Sequence, residues 1–162
     1  MSLSSRAVLA GVAGVSLAAV AAALISQHAF DMQPCPWCVL QRLIFVLLAL
    51  VALGGLAWRS AAGQRSSAMG LLLLAGAGFA AVLWQHFVAA SSTSCNLTLA
   101  DRIMTGTGLP AWLPEVFEAR ATCADAAVSL FGLPYEFWAL ALFAAIEAAA
   151  VWLLLRVNAS SR

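Results

Sequence analysis

Cys35-Pro36-Trp37-Cys38 sets two thiols three positions apart, between one uninterrupted apolar stretch and the next. Thiols at that spacing can close on each other. At the start of a helix, the free N–H groups and the helix dipole also favour a thiolate. A working couple of this kind at a membrane surface suggests electrons taken from water-side thiols and passed to an acceptor dissolved in lipid. Arg42 follows Cys38 by one helical turn and faces the same side. It can stabilise a thiolate or the negative charge developing on an oxygen of that acceptor. The plainer reading is a snorkelling arginine at the interface.

Two more cysteines, Cys95 and Cys123, lie far apart in the second half. A bridge between Cys35 and Cys38 closes almost no loop and removes little entropy from the unfolded chain. Redox work therefore suits that pair better than stapling, whereas a structural staple is the default for Cys95 and Cys123 taken alone. Zinc needs four closed ligands, typically from paired C-x2-C motifs. The second pair lacks that spacing, so no metal site is expected.

The elements that carry these residues must cross a membrane. The 162 residues are 64% hydrophobic and 9% charged, against about 45–50% apolar and about 25% charged in a soluble domain. A net charge of +1 leaves no basic footprint for nucleic acid. Apolar runs predict spans over about 7–27, 39–58, 68–90 and 137–155, each near the ~20 residues that a bilayer core requires. The first is too long for the ~7–15-residue core of a signal peptide and is read as a retained helix. The expected class is all-α, a single-domain integral membrane four-helix bundle.

Arginines orient it. Arg6, Arg59, Arg65, Arg156 and Arg162 flank the spans on one side without acidic neighbours. Arg42, Arg102 and Arg120 on the other side are diluted by Asp31, Asp101, Glu115, Glu118, Asp125 and Glu136. The positive-inside rule puts both termini and the 59–67 loop in the cytoplasm. Loops 28–38 and 91–136, with all four cysteines, then face outward, the oxidising side, where disulfides form and persist. Snorkelling arginines favour the cytoplasmic end, and Arg42 lies at the other, which favours the chemical role.

The halves also echo each other. The first span ends in Gln27-His28 before Cys35, and the third in Gln85-His86 before Cys95. His28 and His86 could be haem ligands, interfacial anchors, or donors to a bound polar headgroup, the last more for His86. His86 could also relay protons.

Gln27-His28, Pro34-Cys35-x-x-Cys38 and Arg42 resemble the bacterial disulfide bond formation protein B (DsbB) family. So do His86, Trp112-Leu113-Pro114 between Cys95 and Cys123, and Gly132-Leu133 with Trp138 entering the last helix. The likeness covers nearly the whole chain. It implies an inner-membrane enzyme that reoxidises a periplasmic thioredoxin-fold oxidase of the DsbA type and reduces membrane quinone, ubiquinone or menaquinone. By the same likeness, Cys95–Cys123 meets the partner, with Cys95 forming the mixed disulfide. Cys35–Cys38 reoxidises that pair through a transient Cys35–Cys123 bridge, and Cys38 gives its electrons to the quinone beside Arg42 and His86.

A vitamin-K-epoxide-reductase-like enzyme is a related alternative, but its CxxC is expected near the end of a late helix. From other classes, a haem-binding tetraspan would use His28 and His86, and a structural tetraspan would keep its disulfides inert. Glu147, about 15 Å below the outer surface at 1.5 Å per residue, is expected to be protonated or paired with an interhelical donor, outside the site. Gly11, Gly14, Gly70, Gly76 and Gly78 are expected to let helices approach. The 109–117 segment, apolar and acidic together, suits the headgroup layer or a packed loop.

Overall fold

The first three long helices each begin where a side chain satisfies one of the first free N–H groups. In the computed structural model, which describes residues 4–58, 60–90 and 98–160, Ser4 caps α1 (Ser5–Phe30) by accepting the Ala7 N–H. Cys35 caps α2 (Pro36–Ala57), with Pro36 at the first helical position, where a missing N–H costs nothing. Ser60 caps α3 (Ala61–Trp84), which runs on as a π-helical turn over Gln85–Ala89. Cys95, Arg59 and Arg162 lie outside the described residues.

Between the third and last long helices, α4 (Leu99–Thr107) starts in a capping box of Thr98 with Asp101 and stops at Gly108, φ 69°. Two single turns follow, α5 (Leu109–Trp112) and α6 (Pro114–Phe117). A two-residue hairpin then pairs β1 (Ser129–Leu130) with β2 (Leu133–Pro134) in antiparallel register. It turns on Phe131 and Gly132, both at positive φ, as a tight hairpin requires. The last helix, α7, spans Glu136–Ser160.

Four helices of 26, 22, 29 and 24 residues are long and apolar enough to cross a membrane, the third counted with its π turn and the last as far as Ala159. The protein is a membrane-spanning helical bundle. The helices overrun the apolar windows at several ends. The segment 59–67, expected as a loop, is mostly the polar start of α3, and α2 begins at Pro36 rather than near Val39. Hydropathy marks what hydrocarbon covers, whereas a backbone stays helical until a cap or breaker ends it.

α3 packs most extensively on α7, α1 on α2, and α2 on α3, while α1 and α7 meet far less. The core holds Leu9, Leu48, Leu71, Phe143 and Leu153, all but sealed from solvent. Phe45 of α2 stacks on Phe143 of α7, with centroids 4.2 Å apart and planes 9° from parallel. Gly78 of α3 makes room for that stack, because a Cβ there would collide with the Phe143 ring. Gly78→Ala should therefore destabilise the bundle by about 1–3 kcal/mol, the usual cost of overpacking. Gly11→Ala, facing open space, should not; denaturation of both variants in one detergent compares them.

The expected glycine contacts hold at Gly70, against Val51, and at Gly78. They fail at Gly11 and Gly14, which have nothing within 4 Å of a built Cβ. Glu147 lies beside Gly76, 3.7 Å from where a Cβ would stand. No interhelical donor meets its carboxyl among the described residues.

Candidate active site

The chemistry gathers at the end of the bundle where α1 finishes and α2 and α7 begin. The helix-capping role of Cys35 fixes its sulfur, which accepts the Cys38 N–H at 3.3 Å. The two sulfurs stand 2.7 Å apart. Pro34 supplies the next link. Its carbonyl accepts the N–H groups of Arg120 and Ala121 at 2.9 and 3.2 Å, pinning the long loop to the CxxC turn. Cys123 is thereby brought onto Cys35, and their side chains share a hydrogen bond.

Cys35, Cys38 and Cys123 are all thiols here. Cys35 is fully buried, and its hydrogen bonds to Cys123 and Cys38, with burial, push its thiol well above the ordinary value. Cys123 is drawn down, chiefly by the hydrogen bond from Cys35 and also by the Trp37 backbone N–H, although burial opposes the shift. Of these two, Cys123 is the readier thiolate and Cys35 the sulfur within its reach.

Cys38 continues the line inward. The Gln85 side-chain amide donates to Cys38 Sγ at 3.4 Å, and its oxygen accepts from Gln41 at 2.6 Å. Arg42 is 5% exposed, which removes it from the snorkelling class. Its Nη1 donates to Gln27 Oε1 at 2.9 Å and to the Val116 carbonyl at 2.7 Å. Gln27 Nε2 in turn reaches the Glu115 carbonyl at 3.3 Å, so α1 and α2 together clamp α6 over the site. Arg42 Nε is buried without a hydrogen-bond partner among the described residues, which is costly in a native interior unless something else accepts from it.

A cavity of about 650 Å³ opens beside these groups, within the ~300–1,000 Å³ of small-molecule sites. Cys38, Gln41, Arg42, Gln85, Tyr135 and Glu136 supply its polar wall. Alanines of α1, with Phe45, Trp138 and Leu142, supply the apolar one. It lies toward the weakly packed α1–α7 seam.

His86 does not line this cavity. Its Nδ1 lies 2.8 Å from Glu136 Oε1, and it is Glu136 that reaches the cavity wall. His28 is half exposed, 3.9 Å from Glu115, and also lies off the cavity. The 109–117 segment divides, with Trp112 and Leu113 standing out and Phe117 buried. Gln41 and Glu136 were not singled out from the sequence. A polar side chain within an apolar run is expensive unless it serves a site, and that signal was available for Gln41.

The disulfide bond formation protein DsbB family model matches residues 5–153. The chain belongs to the DsbB family. Among proteins called disulfide bond formation protein B, it is 36% identical to one from Herminiimonas arsenicoxydans over 145 residues, covering 88% of this chain and 90% of that one. One from Burkholderia pseudomallei is 32% identical over 152 residues, 93% of this chain and 90% of that one. A third, from Aromatoleum aromaticum, is 31% identical over 157 residues, 94% of each. As a DsbB-family member the protein is a multi-pass membrane protein of disulfide bond formation and a disulfide-forming oxidoreductase.

Proposed function

We propose that this protein is an inner-membrane dithiol:quinone oxidoreductase that reoxidises a periplasmic DsbA-type thioredoxin-fold oxidase. The observation that carries this is one continuous path: Cys123 on Cys35, Cys35 on Cys38, and Cys38 on the wall of the cavity that holds Arg42. The arginine distribution supports cytoplasmic termini and periplasmic cysteine loops.

The relay starts from an oxidised form with an expected Cys95–Cys123 bridge and a Cys35–Cys38 bridge, the latter closed from the two neighbouring sulfurs. A partner thiolate attacks Cys95, Cys123 leaves as thiolate, and the partner's second thiol releases Cys95 with the partner oxidised. Cys123 then attacks Cys35 Sγ, and Cys38 leaves as thiolate. Cys95 closes on Cys123 and frees Cys35, so the electron pair now rests on the Cys35–Cys38 dithiol. A bound quinone supplies the sink, taking two electrons and two protons to become quinol while the Cys35–Cys38 bond reforms. The unpartnered Arg42 Nε, the Gln41–Gln85 pair and the apolar wall fit a flat, lipid-soluble molecule with carbonyl oxygens.

The haem reading has no such support. His86 is hydrogen-bonded to Glu136, His28 lies 3.9 Å from Glu115, and neither lines the cavity.

The test is quinone reduction by the purified protein with a reduced thioredoxin-fold partner, which an inert tetraspan would not catalyse. In that assay Arg42→Ala should raise the quinone KM about ten- to a hundredfold, as expected for one charge-assisted hydrogen bond of roughly 1.5–3 kcal/mol. Arg42→Lys should recover part of this, keeping the charge without the fork. Losing the bond to the Val116 carbonyl should slow the protein-thiol step by less. An unchanged quinone KM would leave Arg42 only as the clamp on α6.

A further inference from the structure

Glu136 is 8% exposed, yet it opens α7 on the wall of a largely apolar cavity. A buried carboxyl there is costly unless paired. Its partner, His86, has a side chain 30% exposed. The pair therefore runs from the cavity wall to the last turn of α3, at the end of the bundle where the cysteine loops begin.

The imidazole is held on both flanks. Phe87 meets it edge-on and Phe137 at a tilt, each with centroids 4.8 Å away. The segment that delivers it is the π-helical turn Gln85–Ala89, a deviation frequent at functional sites. That turn puts Gln85 against Cys38 and His86 against Glu136.

Resting on the quinone reading, we propose that Glu136 is the acid that gives a proton to a quinone oxygen in this cavity, and that His86 restores that proton from the water side. The other ionisable groups on the wall suit the task less. Asp31 and Asp125 are exposed and bonded to Gln33 and Thr122. Tyr135 shares a hydrogen bond with Ser26, and Arg42 and Arg120 do not release protons. Cys38 is the electron donor.

The step balances. Oxidation of the Cys35–Cys38 dithiol releases two electrons and two protons, and quinol formation consumes two of each. One proton taken from Glu136 leaves a carboxylate, and the second proton of the quinol comes from the other thiol of the Cys35–Cys38 pair. One thiol proton released to the aqueous side returns to that carboxylate through His86. No other oxidant or reductant is needed.

Glu136→Gln keeps the size and a hydrogen bond to His86 but cannot give the proton. With reduced partner and a short-chain quinone, its single-turnover quinol formation should fall about 10²-fold or more, the contribution expected of a general acid. Quinone affinity, read by quenching of tryptophan fluorescence without turnover, should stay near wild type and so report an intact cavity. His86→Phe should leave the first turnover intact and slow the following ones. Infrared difference spectra on quinone binding should contain a protonated-carboxyl band that Glu136→Gln removes. Glu136→Gln forming quinol at the wild-type rate, or a spectrum whose carboxyl band survives it, would overturn the assignment. A wild-type protein that reduces no quinone would instead overturn the reading on which it rests.

Discussion

Cys38→Ser should bring steady-state quinol formation down to background while the loops still exchange once with an oxidisable partner. The reason lies in the path of contacts. Cys38 alone among the described cysteines lines the cavity, and its sulfur is 2.7 Å from Cys35. Serine at 38 cannot close the bond that would release the electron pair. Cys35, left without its neighbour, has a second sulfur in contact, Cys123. It should therefore attack the expected Cys95–Cys123 bridge at Cys123, form Cys35–Cys123, and release Cys95 as thiolate. No oxidant enters that exchange. Peptide mapping under non-reducing conditions should find the 35–123 link. Turnover that survives Cys38→Ser would mean that the donor to the cavity is another group.

Cys123→Ser should also stop turnover, but at the other end of the relay. Mixed with a partner that lacks its second active-site cysteine and carries a small-thiol disulfide on the first, Cys95 attacks the partner sulfur and the small thiol leaves as thiolate. In the wild type, Cys123 can attack Cys95 in that mixed disulfide and free the partner, and in the forward relay the same thiolate attacks Cys35. The depressed thiol of Cys123, held by its hydrogen bond from Cys35 and by the Trp37 N–H, suits it to that attack. A serine hydroxyl cannot perform it. Non-reducing gels should show a band at the summed mass that disappears with thiol reductant and with Cys95→Ser. A band that depends on Cys35 would reverse the order of the relay.

Much of this was legible in the chain because a bilayer simplifies the reading. Hydrocarbon satisfies no backbone hydrogen bonds, so a long apolar run must be helical. Four such runs settle the number of crossings. The CxxC motif is equally local: Cys35 caps the helix that Pro36 starts, and Cys38 falls within the first turn through spacing alone. Arg42, one turn on, shares that face for the same reason. The resemblance to the DsbB family, confirmed over residues 5–153, rests on these short-range patterns.

What the sequence by itself determined is therefore the class, the four helices and the spacing that sets Cys35, Cys38 and Arg42 on one helix start. Helix period and hydropathy act over a few residues, and so do the signals they leave. Only the tertiary structure decided which groups meet. Two loop N–H groups on the Pro34 carbonyl bring Cys123 to Cys35. The Val116 carbonyl and Gln27 turn Arg42 from a surface arginine into a buried clamp on the cavity wall. His86, one of a pair of similar Gln-His sites in the sequence, turns out to reach the cavity through Glu136. Gly11 and Gly14 face open space while Gly78 receives a phenyl ring. Each outcome depends on partners far away in the chain, and a single sequence carries no local signal for contacts at that separation.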